Sequence, residues 1–432
     1  MTQGLFVLDL DRCTGCAACV IACSNENLVS EGVSWRQIHT FNEARFPLAP
    51  VFHFSLACNH CLEPACLSNC PANAYTKDPA TGAVLIEADS CMGCRYCSWV
   101  CPYDAPQFNP VAGVMEKCTF CVHRQDEGLA PACVTACPVN ALRFEPNAEP
   151  QTVSRTGFPD TGLWPAIRVV GERRQAPPRM TATPAPVSEP AAADGFGWQG
   201  LQSEWSLWVF TSVATLLVAW FIAATALGHA VFLPVFASAG LIGMSVSALH
   251  LGRINRVWRA VLNVRSSWIS REVAFFSIFF ASACGLGLVG GAPGWVSWAI
   301  ATAGFAALFS MDMVYRVPGQ AVAAVPHSAM TVLGAAYYVG LLLAAPELAL
   351  PAAAAKLVLY LLRPGRRPVL AVLRVGSGIL LPCVLLLLGW APPEVLLGAA
   401  FIGEAIDRAE FYRGLGFLTP SRQIQRDLTR LA

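Results

Sequence analysis

The stretch DRCTGCAACVIACSNEN, residues 11–27, puts cysteines at 13, 16, 19 and 23. A disulfide staple, a zinc knot and an iron–sulfur cluster all begin with thiols this close. The pattern recurs and so narrows the choice. Cys58-x2-Cys61-x4-Cys66-x3-Cys70 follows, then Cys91-x2-Cys94-x2-Cys97-x3-Cys101, then Cys118-x2-Cys121-x11-Cys133-x3-Cys137. Each set has three cysteines and a fourth after three intervening residues. In three sets a proline comes next: Pro71, Pro102 and Pro138. Such self-similarity marks an internal repeat. In this spacing three cysteines wrap one cubane, and the fourth ligates a neighbouring cluster. Cys13, Cys16 and Cys19 then hold one cluster and Cys23 holds its neighbour. The expected helix starts at the fourth cysteine, with proline in its first turn. Four sets give four [4Fe–4S] clusters. A zinc site predicts paired C-x2-C sets without a systematic fourth cysteine. Eight disulfides suit neither the spacing nor a reducing compartment.

Sixteen of the 18 cysteines lie in residues 13–137, whereas the long apolar runs follow residue 205. Overall the 432 residues are 55% hydrophobic and 13% charged, against about 25% charged in an ordinary soluble domain. Net charge is +1, so there is no general basic surface for nucleic acid. The start, MTQGLFVLDLDRC, has no export signal of its own; export on a partner stays open. The expected division is a cysteine-rich α+β ferredoxin-like domain at 1–146, an extended Pro/Ala-rich linker at 147–200, an all-α transmembrane bundle at 201–420 and a polar tail at 421–432. Within the linker, GLWPAIRVV is expected to pack on the cysteine domain rather than on a partner. Eight apolar spans are read at 205–227, 230–251, 273–292, 295–315, 327–345, 347–362, 369–390 and 393–412, near the ~20 residues that cross a bilayer. The sixth carries Lys356 and the eighth Glu404 and Asp407. Cys284 and Cys383 are read as small core residues.

DRCTGCAACVIAC, ACNHCLEPACLSNCP, CMGCRYCSWVCPYDAPQFNP and KCTFCVHR…PACVTACP resemble the four-cluster ferredoxin-like subunit of molybdopterin oxidoreductases of the dimethyl sulfoxide reductase type. The resemblance implies that the first set exchanges its last cysteine with the fourth, and the second with the third. The ligand groups are then Cys13, Cys16, Cys19 and Cys137; Cys118, Cys121, Cys133 and Cys23; Cys58, Cys61, Cys66 and Cys101; and Cys91, Cys94, Cys97 and Cys70. In nitrate-reductase relatives the second cysteine of the third set is Trp and the cluster has three irons; Cys94 implies a cubane. EWSLWVFT, SALHLGRINRVWRAVLNVRSSWISREVAFFSIFFA and GEAIDRAEFYRG resemble, more loosely, the eight-helix membrane anchor of the same enzymes. Two usually separate subunits are thus fused. Nothing here is read as binding molybdopterin, so a large catalytic subunit is an expected partner.

Ionisable groups at membrane depth are costly and mark candidate sites. His250 ends the second expected helix and Glu272 opens the third. A histidine can take a proton from a quinol hydroxyl near neutral pH, and a carboxylate can orient it and pass the proton on. The resemblance assigns both to a quinol site, with menaquinol or ubiquinol as substrate. The plainer reading is a snorkelling histidine and a helix-terminal charge. Arg253 is a candidate quinone contact or a topology charge. Asp312 and Arg316, four apart, are expected to pair. Glu404, Asp407 and Arg408 are read as a second polar cluster. His229, His250 and His327 are too few for two bis-histidine haems, so no haem is expected. Arginine crowds the loops on the N-terminal side, which places the cysteine domain in the cytoplasm by the positive-inside rule. The reading is an electron-transfer and anchor subunit that oxidises quinol and passes electrons to a molybdenum subunit. The same wiring in reverse, and a tethered carrier or sensor with no quinone site, are the alternatives. The terminal substrate (sulfoxide, nitrate, polysulfide or tetrathionate) is open.

Overall fold

A computed structural model describes residues 3–43, 46, 49–149, 161–171, 201–316, 326–363 and 368–414. Most of the expected linker, 172–200, and the tail after 414 lie outside them. At the centre of the N-terminal region is the strand Gln3–Asp9, whose GLFVL core is buried on both faces, as a strand with neighbours on each side requires. It pairs antiparallel with Leu142–Ala148, Phe6 opposite Phe144, and parallel with Ile167–Val170, Phe6 opposite Ile167. The boundary expected at 146 therefore moves. The GLWPAIRVV stretch returns to this domain as an edge strand, with Leu163, Ala166 and Ile167 buried. Three small hairpins, Gln37–Phe41 with Phe52–Leu56, Tyr75–Lys77 with Val84–Ile86, and Gln107–Asn109 with Val114–Glu116, separate the cysteine sets.

Helices make up the C-terminal region: Leu201–Ala226, Leu233–Ala248, Trp268–Val289, Gly294–Val314, Thr331–Leu342, Pro346–Leu362, Pro368–Leu388 and Pro393–Gly414. Pro368–Leu388 passes through a π-helical turn at Gly376–Leu380. Among the described residues four stretches are long and apolar enough to cross a membrane: Trp205–Ala226, Trp268–Val289, Gly294–Val314 and Val369–Leu388. The helix expected from 273 begins at Trp268, because Ser267 caps it by accepting the Ser270 N–H. Glu272 consequently stands one turn inside the helix. Thin packing at Gly378 and Gly403, where either Cβ would come within 2.5 Å of the other backbone, lets the π-helical turn lie against the last helix.

Between these helices lies a buried ionic cluster. Lys356 Nζ is 2.9 Å from Glu404 Oε2, Arg374 Nη2 3.2 Å from Asp407 Oδ2, and Arg408 Nε 3.3 Å from Glu404 Oε1. Ser328 donates to Asp407 at 2.8 Å and Arg408 to Thr215 at 2.9 Å. The expected Asp312–Arg316 pair does not form. Asp312 instead accepts the Thr331 and Val332 N–H groups at 2.7 and 3.1 Å, capping the helix Thr331–Leu342, while Arg316 is exposed. Cap geometry wins because orphan N–H groups at a buried helix start have no other acceptor. Glu404→Gln leaves Lys356 and Arg408 short of an anion at 0–3% side-chain exposure. It is expected to cost about 3–5 kcal/mol, read as a lowered unfolding temperature in detergent; an unchanged temperature contradicts this.

Candidate functional site

The four cysteine loops repeat in backbone as well as in sequence. The residue two after the first cysteine has positive φ in every set: Gly15 (70°), His60 (41°), Gly93 (70°) and Phe120 (64°). This curl turns amides onto the thiol. Gly93 N–H donates to Cys91 Sγ and Phe120 N–H to Cys118 Sγ, both at 3.4 Å. The third cysteine is the second residue of a helix each time, in Ala18–Asn27, Ala65–Ser68, Tyr96–Val100 and Ala132–Thr135. In the second, third and fourth sets the helix thus ends before the fourth cysteine, and in the first it runs through Cys23, so in no set does it start at the fourth cysteine as expected. Pro71, Pro102 and Pro138 follow these helices in turns, since proline has no N–H to continue them. The turn again feeds sulfur: Ala74 N–H donates to Cys70 Sγ at 3.4 Å and Ala141 N–H to Cys137 Sγ at 3.2 Å.

Remote cysteines come together through these loops. One cavity is lined by Cys13, Cys16, Cys19 and Cys137, another by Cys58, Cys61, Cys66 and Cys101. Cys23 lies beside Cys133 and Cys121, and Cys118 beside Cys23 and Cys133. Cys97 has Cys94, Cys91 and Cys70 around it. Burial pushes the Cys23 and Cys66 thiols up to about 12, against Arg36 at the first and Lys117 at the second. A metal centre removes that obstacle by holding the thiolate directly. Four convergent sulfurs with amide donors behind them fit an iron–sulfur cluster, for which hydrogen bonds to sulfur are the usual tuning device.

The loop after Leu233–Ala248 docks on the third cysteine loop. Gly252 N–H donates to Gly93 O at 3.3 Å and Arg253 N–H to Met92 O at 3.1 Å. A Cβ on Gly93 would meet Gly113 O at 2.3 Å and Gly252 Cα at 2.9 Å, so three glycine backbones touch where no side chain fits. Arg253 Nε reaches Ala112 O at 2.7 Å, and Arg256 Nη1 reaches Ala88 O and Cys91 O at 2.6 and 2.8 Å. Arg259 donates to Ala72 O at 3.2 Å and Asn263 to Cys70 O at 2.9 Å. Beyond this loop Tyr96 donates to Val314 O at 2.6 Å. Arginines read from sequence as topology charges therefore also fasten the two regions together. Arg253, considered for quinone, has its Nε on a protein carbonyl.

His250 and Glu272 flank this contact. Their neighbours Leu251 and Val273 pack with Met92 and Cys94. His250 Nδ1 donates to Ser247 O, which leaves Nε2 as the proton acceptor. Glu272 is within electrostatic reach of Tyr96, Tyr315 and Asp312. No hydrogen bond joins His250 to Glu272; each is next in the chain to a residue packed in one cluster with Met92 and Cys94. Sequence reading missed Gly93, Gly113 and Asn263, and the docking role of Arg256. No local signal at the glycines names the far backbone they touch.

Residues 49–147 match the 4Fe-4S dicluster domain family. The protein is similar to one subunit of the sulfite dehydrogenase of Allochromatium vinosum, 36% identical over 204 residues that cover 40% of this chain and 85% of that protein. It is similar to one subunit of the anaerobic dimethyl sulfoxide reductase of Haemophilus influenzae, 38% identical over 35% of this chain and 78% of the relative. With the subunit of the same name in Escherichia coli it is 40% identical over 34% and 74%.

Proposed function

The chain belongs to the iron–sulfur subunits of dimethyl sulfoxide reductase-type oxidoreductases, and from this we propose that it takes electrons from membrane quinol through four [4Fe–4S] clusters to a separate molybdopterin catalytic subunit. The sixteen cysteines hold the clusters in the four quartets described, and the bound clusters supply one-electron transfer. The helical region, read as eight spans, is the anchor in the bacterial cytoplasmic membrane. Short Arg-rich loops favour the cytoplasmic face for the iron–sulfur domain, although several of those arginines are also docking residues.

The observation that carries the reading is the docked loop. Gly252 and Arg253 bond to Gly93 and Met92, and His250 stands two residues before them. A quinol hydroxyl set against His250 has a proton acceptor at Nε2. Glu272, within electrostatic reach of Tyr96 beside the same cysteine loop, provides a second acceptor, as removal of two protons requires. His250→Ala is expected to lower quinol oxidation about 100-fold or more with iron content unchanged; wild-type turnover in the variant removes His250 from the site.

Metal analysis of the tagged complex from native membranes tests the whole reading. About sixteen irons per chain are expected, four for each cluster, with about one molybdenum or tungsten on a co-purifying large chain. Iron without a large partner overturns the enzyme reading in favour of a tethered carrier. A second direction of flow has a specific support: one relative belongs to a sulfite dehydrogenase, an oxidising enzyme. If this chain's partner likewise oxidises its substrate, quinone is reduced at the same site.

A further inference from the structure

Arg36 is the anomaly of the iron–sulfur domain. It is 2% exposed. Its Nη1 donates to Ser55 Oγ at 3.0 Å, while Nε and Nη2 are buried without an acceptor. Its guanidinium lies 4.7 Å from the centre of the Phe6 ring. No described carboxylate forms an ion pair with it. A buried cation left without an anion is among the costliest arrangements a fold can hold. The other buried cation of this region differs: Lys117 spends its ammonium on the Val84 and Cys118 carbonyls.

The surroundings of Arg36 supply the missing anion. Its neighbours are Cys133, Cys118, Cys19 and Cys23. Three of those four belong to the Cys23, Cys118, Cys121 and Cys133 quartet. The fourth, Cys19, is reached through Ser55, whose Oγ is 3.5 Å from Cys19 Sγ. Arg36 thus stands at one quartet and touches the next through a hydroxyl. A cluster with four thiolates is anionic and gains one more negative charge on reduction. A fixed cation favours that reduced state, by an amount enhanced where water is excluded.

We propose that Arg36 is the resident counter-charge of the Cys23, Cys118, Cys121 and Cys133 position, a positioning residue that raises the reduction potential of the cluster held there above what the same ligands alone would give. One electron enters, no proton moves, and the guanidinium stays charged throughout. The effect is strongest at this quartet and weaker at the Cys13, Cys16, Cys19 and Cys137 quartet. The inference rests on the cluster reading above.

The test is a redox titration of the purified complex followed by electron paramagnetic resonance, on wild type, Arg36→Met and Arg36→Lys. A Cys133→Ser variant identifies the signal that belongs to this quartet. In Arg36→Met that signal is expected to become at least about tenfold harder to reduce, about 59 mV for a one-electron couple. Arg36→Lys is expected to restore most of the shift, and iron per chain is unchanged. Full iron with all midpoints unmoved in Arg36→Met overturns the proposal, as does a shift confined to a different signal. Should Arg36→Met lose iron, Arg36→Lys decides. Retained iron with a near-wild-type midpoint supports the counter-charge, and the same loss of iron overturns it in favour of a packing role. Wild-type protein with no cluster signals at all would instead refute the cluster reading.

Discussion

Gly252→Val is expected to lift the docked loop off the third cysteine loop without unfolding either region. A Cβ at 252 would sit 2.2 Å from Gly113 O, 2.7 Å from Gly113 C and 2.9 Å from the Phe108 ring. The first two are backbone atoms and cannot rotate away. The loop must therefore lift, and the bonds from Gly252 and Arg253 to Gly93 and Met92 lengthen or break. Displacing a positioned group by about 1 Å can cost about 100-fold in rate, and quinol oxidation is expected to fall by that order. Iron content is expected to stay at the wild-type level, because no thiol is touched. Gly285→Ala is the control: nothing lies within 4 Å of a Cβ there, and turnover should not change. Wild-type turnover in Gly252→Val would mean that the close backbone contact is incidental.

The second large effect concerns the exchanged cysteines. Cys13→Ala and Cys137→Ala, at opposite ends of the domain's sequence, are expected to erase the same spectroscopic signal and about four irons each. Both line one cavity with Cys16 and Cys19. Cys23→Ala, although in the same motif as Cys13, is expected to match Cys118→Ala instead. If Cys23→Ala and Cys13→Ala remove the same signal and Cys137→Ala another, the sets do not exchange their last cysteines, and the grouping is wrong.

How far the sequence carries depends on the range of the signal. The cysteine loops are local: spacing fixes the curl, and the positive-φ residues Gly15 and Gly93 fall where the motif puts them. The chain positions of the helices are legible for the same reason, since apolar runs are contiguous. Their ends are less so. Ser267 moved a helix start five residues ahead of the apolar run because a cap hydroxyl outweighs hydropathy at that point. The Asp312–Arg316 pairing failed for a similar reason, the i, i+4 rule yielding to a cap on another helix. The strand Ile167–Val170 could be expected to pack on this domain, but not its parallel register against Gln3–Asp9. Least legible is the contact of Gly93, Gly113 and Gly252. It joins residues far apart in the chain through atoms every residue has, and only the absence of three side chains records it.

The most direct measurement mixes the purified complex anaerobically with a menaquinol analogue and follows its visible iron–sulfur absorbance. The wild-type chain is expected to lose that absorbance on mixing. His250→Ala is expected to keep it with quinol and lose it only with dithionite. If the wild-type absorbance survives quinol but not dithionite, no quinol site feeds this chain. If His250→Ala bleaches as fast as wild type, the site lies elsewhere than the docked loop.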